Sequence, residues 1–414
     1  MNHIIRSFTL IFVLFLSQLV NADEWYAAPS LLVPRGGAAA VKHMNSIYVF
    51  GGKSYNNKVL SSVERFDLIE GYWDTTFVPN FKFPRYNATA VVFDDKIYLM
   101  GGHDGEKSLK VVEMYDPVQN EWSEVQNLRR EREALAGVVF NDRIYAIGGQ
   151  KDNQSLINEI EWYDQPSDNW LDAIFDLPYP RAAHFFSVQD NIFYMFGGYY
   201  YGPTRTGYKA IQGENGYEWL QIEDLEIGRA YGAATISRGD IYLIGGETIS
   251  GKTNTVEVFL TESDTYGHCE PITSPRSGLA AVTVDDSIIY AIGGFETEYN
   301  DPVSTVEWYH GELYTAIEDN EIIQVPHNKI LINGYPNPFN NSITLEVSIP
   351  ESDDYIMEIY NITGQKVHTL YRGNLNRGMH QYKWQVNSKI SSGLYFMIIK
   401  SDRYFQKIKM MYVK

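Results

Sequence analysis

Residues 143–149 read Arg-Ile-Tyr-Ala-Ile-Gly-Gly. Branched and aromatic residues favour a strand, and the diglycine that ends it marks a place where the backbone takes positive φ or approaches another segment closely. The phrase recurs as Gly51-Gly52, Gly101-Gly102, Gly148-Gly149, Gly197-Gly198, Gly245-Gly246 and Gly293-Gly294, in steps of 50, 47, 49, 48 and 48 residues. Three positions before each pair stands a tyrosine: Tyr48, Tyr98, Tyr145, Tyr194, Tyr242 and Tyr290. Self-similarity at this period predicts a repeat architecture built from one supersecondary unit.

Further out from the diglycine, an arginine lies sixteen positions earlier, at Arg35, Arg85, Arg132, Arg181 and Arg229, and seventeen earlier at Arg276. Ten to twelve positions before each arginine lies Trp25, Trp73, Trp122, Trp170 or Trp219, with Tyr266 in the last unit. Between these landmarks run short apolar stretches such as AGVVF and INEIEWYD, separated by turn signals NDR, DDK, RGD and DPVQNE. Each unit therefore predicts four antiparallel strands. The ordered set Trp, Arg, Tyr, Gly-Gly resembles the kelch family over residues 23–315. The resemblance implies an all-β chain whose main domain is a six-bladed kelch β-propeller. The last diglycine is followed by VEWYH (306–310) but by no further Trp-bearing strand, so Trp25 to Leu32 is expected to supply the outer strand of blade six. A ring shut in this way leaves no exposed edge between blades.

Composition agrees with strands and tight turns: 31 Tyr, 33 Gly and 14% aromatic residues among 414. Residues 1–22 carry Arg6, the apolar run TLIFVLFL and Val20-Asn21-Ala22, which reads as a cleaved secretory signal too short in its apolar core to span a bilayer. Cys269 is the only cysteine, which excludes an intrachain disulfide and CxxC metal frameworks. The formal charge is −18, and residues 23–330 alone carry −23. Such a surface repels phosphate backbones, so nucleic acid is excluded as a partner.

After His310 the period stops and residues 316–330 read as a polar linker. Residues 331–414 then predict a small β-sandwich, with strand-length runs divided by Gly, Asn and Asp. Its motifs Tyr335-Pro336-Asn337-Pro338-Phe339-Asn340, Tyr360-Asn361-Ile362-Thr363-Gly364-Gln365 and Ser392-Gly393-Leu394-Tyr395, with a basic apolar terminus, resemble the type A C-terminal sorting domain of the type IX secretion system. That resemblance implies a bacterial envelope, passage through the outer membrane by the secretion machinery, and a product that is secreted or held at the cell surface. No transmembrane segment is expected in the mature chain.

Strand counting places the arginines and the loops after each diglycine (53–58, 103–108, 150–156, 199–207, 247–253 and 295–303) on one face. In kelch propellers that this chain resembles, ligands dock there, so a protein or glycan ligand is expected at the mouth. Nine positions before each tryptophan or its tyrosine stands Glu64, Glu113, Glu161 or Glu257, and Glu307 matches them in blade six. A structural Arg–Glu pair in each blade follows, because buried charge needs a partner. Blade four has Ala210 at that spacing and the loop Tyr199-Tyr200-Tyr201-Gly202-Pro203-Thr204-Arg205-Thr206-Gly207-Tyr208. The expected ligand-binding residues are therefore Arg181, Tyr199, Tyr200, Tyr201, Arg205 and Tyr208, together with Arg229 of the next blade. Aromatic faces and planar donors suit sugars, carboxylates or a protein loop. The competing reading is simple divergence of one blade.

No catalytic residue, metal site or cofactor is expected. His103-Asp104-Gly105 and Asp94-Asp95 read as solvated turns. A second function class is a carbohydrate-active enzyme: Gly228-Arg229-Ala230-Tyr231-Gly232 with Gly245-Gly246-Glu247-Thr248 resembles a segment of bacterial sialic-acid mutarotases, which would cast Glu247 and Arg229 as the acid–base and cationic groups. A copper radical oxidase is disfavoured, since six units and Cys269 beside His268 in an outer strand do not match that design.

Overall fold

A computed structural model describes residues 24–213, 216–297, 300–310, 317–318, 321–322, 330–335, 339–349, 351–361, 365–386, 390–401 and 403–413. The signal segment 1–22 lies outside the described residues, as do most of the linker and positions 336–338 and 362–364 of the sorting motifs. The chain divides into two compact units between Tyr314 and Thr315.

The first unit is a six-bladed propeller. Blade one has strands Ala39–His43, Ser46–Phe50, Val63–Asp67 and Tyr72–Asp74, paired in sequence order and antiparallel throughout. Four more blades repeat this order at 89–124, 136–172, 185–222 and 233–269. The sixth contains Ala280–Val284, Ile288–Ile292 and Val306–His310, and its outer strand is Trp25–Ala27, with Trp25 opposite Tyr309 and Ala27 opposite Glu307.

The repeated landmarks turn out to be the joints between blades. In every blade the second glycine donates its N–H to the carbonyl of the next blade's arginine, from Gly52 to Arg85 at 2.9 Å round to Gly294 and Arg35 at 2.9 Å. That contact explains the diglycine: Gly51 has φ +59°, and a Cβ there would meet the Arg85 carbonyl at 2.3 Å. Each tryptophan indole N–H reaches a carbonyl of the preceding blade, as Trp73 does to Pro29 and Trp170 to Gln126. Tyr266 does the same with its hydroxyl, to Glu223 at 3.2 Å. Trp25 bonds the Glu270 carbonyl at 2.8 Å, so the joint that closes the ring follows the rule of the others.

A second ring runs round the axis. Gly37, Asn87, Ala134, Ala183, Tyr231 and Gly278, each two positions after its arginine, all have positive φ. Each donates to the carbonyl of its neighbour in the preceding blade, in a closed cycle of six hydrogen bonds between 2.6 and 3.0 Å. The cycle uses up backbone groups that would otherwise be unpaired around the central channel.

The second unit is a sandwich of a three-stranded sheet (Leu331–Tyr335, Ser342–Ile349, Gly378–Gln385) and a four-stranded sheet (Lys366–Leu375, Asp353–Asn361, Gly393–Lys400, Phe405–Tyr412). Strict alternation buries Ile343, Leu345, Val347 and Ile349 from one sheet against Met357, Ile359, Met397 and Ile399 of the other. Phe339 of the first sorting motif is buried between Trp384 and Tyr412, and its N–H bonds the Met411 carbonyl at 2.9 Å. The motif thereby ties the start of the sandwich to its last strand.

Candidate functional site

The six arginines are buried, and five carry a glutamate. Arg35 bonds Glu64 at 2.8 Å and Arg132 bonds Glu161 at 2.6 Å, while Arg85, Arg229 and Arg276 pair with Glu113, Glu257 and Glu307. Every guanidinium also donates to the carbonyl of its own blade's first glycine, at 2.8 to 3.1 Å. Each glutamate braces the loop leading to its arginine, as Glu64 does by accepting from the N–H groups of Leu32 and Val33. Burial pulls the guanidiniums below their ordinary range and the carboxylate opposes it; Arg85 falls to about 10. The repeat is thus a buried ionic bracket.

Two expected site residues are corrected by this geometry. Arg229 is 0% exposed, with Gly245, Thr255 and Glu257 taking its donors, so it cannot meet a ligand or serve an anomer exchange with Glu247. Arg181 is 2% exposed and bonds Gly197 and Thr206. Its missing partner also needs correction. Strand pairing sets Glu64 opposite Val49, one residue after Tyr48, and the blade-four counterpart, opposite Met195, is Tyr208 rather than Ala210. Ala210 pairs with Trp219, nine residues on, whereas Tyr163 pairs with Trp170, seven on. Two extra residues in that hairpin misled the count from the tryptophan. An aromatic face therefore replaces the carboxylate, with the Arg181 guanidinium 5.6 Å from the Tyr208 ring centre.

Around Tyr208 the loop tyrosines gather with one residue the sequence reading missed, Tyr179. Its ring centre lies 6.2 Å from Tyr208 and 6.3 Å from Tyr200, and Tyr200 meets Tyr201 edge-on at 4.9 Å. Tyr201 is 86% exposed. Arg205 points to Asp224 at 3.4 Å. Tyr199 belongs elsewhere, bridged to Ala182 beside the central opening.

The residues that line the opening sit immediately beside the landmarks. The residue after each arginine bridges the residue after the diglycine: Gly36 with Lys53, Tyr86 with His103, Glu133 with Gln150, Ala182 with Tyr199, Ala230 with Glu247 and Ser277 with Phe295. A cavity of about 260 Å³ opens here, lined by Lys53, Tyr86, Asn87, Tyr231, Glu247, Ser277, Gly278, Phe295 and Asn300. Glu133 accepts from Asn87 at 3.0 Å and Gln150 at 3.2 Å. Burial, followed by the charges of Glu133 and Glu247, raises the Tyr231 phenol. These positions lie one residue beyond each landmark, inside the loops expected at the mouth, but the repeat itself does not mark which of their side chains face the opening.

Beneath the opening, a channel space of about 120 Å³ is lined by the inner ring and His184. The imidazole is buried, and neither ring nitrogen has a protein partner. Burial first, then the Arg181 charge, lower its pKa from 6.5 to about 3. Between these values the unfolded chain takes up a proton that the folded chain refuses. Stability therefore falls as pH drops through that window, at about 1.4 kcal/mol per unit. Leu135 and Leu279 line the same channel at the matching repeat position, so His184→Leu should fold and lose this slope. Urea unfolding at pH 6.5 and pH 5 should show the variant gaining on the natural chain; a constant difference would refute the assignment.

The KLHDC2/KLHL20/DRC7 Kelch-repeats domain model matches residues 17–198 and 134–310, and the Secretion system C-terminal sorting domain model matches 333–414. The fold is that of a closed, repeat-built propeller. The chain belongs to the Kelch-repeat family and ends in a secretion-system sorting domain. It is 24% identical over 294 residues to Kelch-like protein 40 of Xenopus tropicalis, covering 68% of this chain and 39% of that protein. Beta-scruin of Limulus polyphemus is 25% identical over 288 residues, covering 64% of this chain and 31% of that one. The chain spans well under half the length of these curated relatives. The structure of YjhT superposes with a TM-score of 0.59 at 15% identity, covering 72% of this chain and 99% of YjhT, which shows the shared fold.

Among the described residues, no group of three or more His, Cys, Asp or Glu side chains could hold a metal ion, and no helix is long and apolar enough to cross a membrane.

Proposed function

We propose that the propeller is a recognition module, secreted or displayed at the cell surface by its sorting domain, and that it binds a protein or glycan in the mouth of the ring. One observation carries this reading. The arginine, tyrosine and diglycine positions of the joints keep the same residue from blade to blade, whereas the six bridged positions after the diglycines hold Lys53, His103, Gln150, Tyr199, Glu247 and Phe295. A side chain that makes the same joint six times has reason to stay the same, and a binding surface has reason to differ. Tyr200, Tyr201 and Arg205 extend that surface over the rim of blade four.

The test is a glycan array and an array of purified envelope proteins probed with residues 23–414. Tyr86→Ala and Phe295→Ala should weaken captured binding tenfold or more, as loss of central aromatic anchors does (about 2 kcal/mol). Tyr200→Ala and Arg205→Ala should weaken it less, and neither they nor Tyr86→Ala should move the melting temperature by more than a few degrees, whereas Phe295 is 9% exposed and Phe295→Ala is compared with the natural chain only below its own melting transition. A ligand held equally well by the mouth variants would place recognition elsewhere.

A further inference from the structure

We propose that the mouth selects a cationic group: an alkylammonium or guanidinium presented by a partner, as on a lysine-rich or arginine-rich protein segment. The inference rests on the mouth being the binding site and adds the charge of its occupant. Three independent features point the same way. First, two carboxylates stand at the opening, Glu247 lining the cavity and Glu133 beside it, the latter held in place by Asn87 and Gln150. A fixed carboxylate needs little reorganisation when it meets a cation.

Second, the cavity already holds an alkylammonium from the protein itself. The Lys53 ammonium stands 5.1 Å from the Tyr86 ring centre and 5.9 Å from that of Phe295. This is the geometry by which aromatic faces attract cations. No ion pair from Lys53 to a carboxylate occurs among the described residues, so an incoming cation can take its place on the rings and gain the glutamates as well. Third, the field of the propeller and its linker is negative, with −23 on residues 23–330, and would steer a cationic partner toward any face. A second cavity of about 510 Å³, lined by Glu223, Asp224, Glu226 and Tyr266, lies in the same field, but the mouth alone of the two places a pair of aromatic rings around an ammonium.

Neighbouring residues of the mouth should respond in opposite directions. Fluorescein-labelled octalysine, octaarginine, octaglutamate and chitosan oligomers should be titrated against residues 23–414 at low and physiological salt. Octalysine or octaarginine should bind and octaglutamate should not. Glu247→Gln and Glu133→Gln should each weaken binding about fivefold or more, consistent with loss of one paired charge. Lys53→Gln should tighten it, because it removes the internal competitor. Asp142 and Asp190 are exposed turn residues at the other end of the first-to-second strand hairpins, and Asp142→Asn with Asp190→Asn should leave binding unchanged.

Equal weakening by the Asp142/Asp190 double variant would reduce the effect to generic charge attraction and overturn the proposal. Tighter binding of octaglutamate, or weakening by Lys53→Gln, would overturn it in favour of an anionic ligand. A neutral glycan bound through Tyr86 and Phe295 and indifferent to both glutamates would also overturn it, while leaving the mouth intact as a recognition site. Chitosan binding in preference to the peptides would keep the cation and reassign its carrier to an aminosugar.

Discussion

Deleting residues 24–27 should abolish cooperative folding of the propeller, and Trp25→Ala alone should cost about 3–5 kcal/mol, the usual loss for a buried tryptophan. Trp25 is 8% exposed and packs on Tyr309 at 5.2 Å, while Tyr26 stacks on Trp308 at 5.0 Å. Its indole N–H bonds the Glu270 carbonyl, and Ala28 and Leu31 go on to bond Val306 and Ser304. Removing the strand would leave Val306–His310 as a bare edge carrying tryptophan and tyrosine, open to pairing with another chain. Urea unfolding of the point variant and sedimentation of the deletion variant measure the two effects. Trp25→Ala within 1 kcal/mol of the natural chain, or a monomeric and cooperatively folded deletion, would show that the ring does not depend on this closure.

Glu64→Leu should cost about 3–5 kcal/mol, because it strands the Arg35 guanidinium in a site with no exposure and, among the described residues, no other carboxylate paired to it. It also leaves the N–H groups of Leu32 and Val33 without their acceptor. Arg181→Met in blade four should cost only about 1–2 kcal/mol, since it strands no carboxylate and gives up hydrogen bonds to Gly197 and Thr206. Denaturant midpoints of the two variants, read with unchanged slopes, make the comparison. Equal losses would mean that the bracket's value lies in the arginine's contacts with the diglycine carbonyl and not in charge pairing.

The contrast between these blades shows where the sequence could and could not be read. Five arginine–glutamate brackets were legible because Glu64, Glu113, Glu161 and Glu257 kept their spacing from a tryptophan or from Tyr266, and Glu307 kept its place in the matching strand. Blade four escaped because spacing along the chain stands for spacing in space only while hairpins keep their length. Two extra residues between Ala210 and Trp219 broke that equivalence and hid Tyr208 in the glutamate's slot. The loops that begin at Lys53, His103, Gln150, Tyr199, Glu247 and Phe295 were expected at the mouth, but Arg181 and Arg229 were chosen there wrongly, for a related reason. The arginines look functional in a sequence because they are charged and repeated, but repetition in every blade marks a part of the joint.

The sequence by itself determined six units, their strand order, the borrowed first strand and the sandwich with its sorting motifs. These are written in local periodicity and in landmarks whose physical needs, such as a glycine against a carbonyl or a buried ion with its counter-ion, hold in every blade alike. Only the tertiary structure decided which side chains look outward into the mouth. That choice depends on a one-residue step around a positive-φ ring whose hydrogen bonds join residues some 50 positions apart, and no local pattern records such a partner.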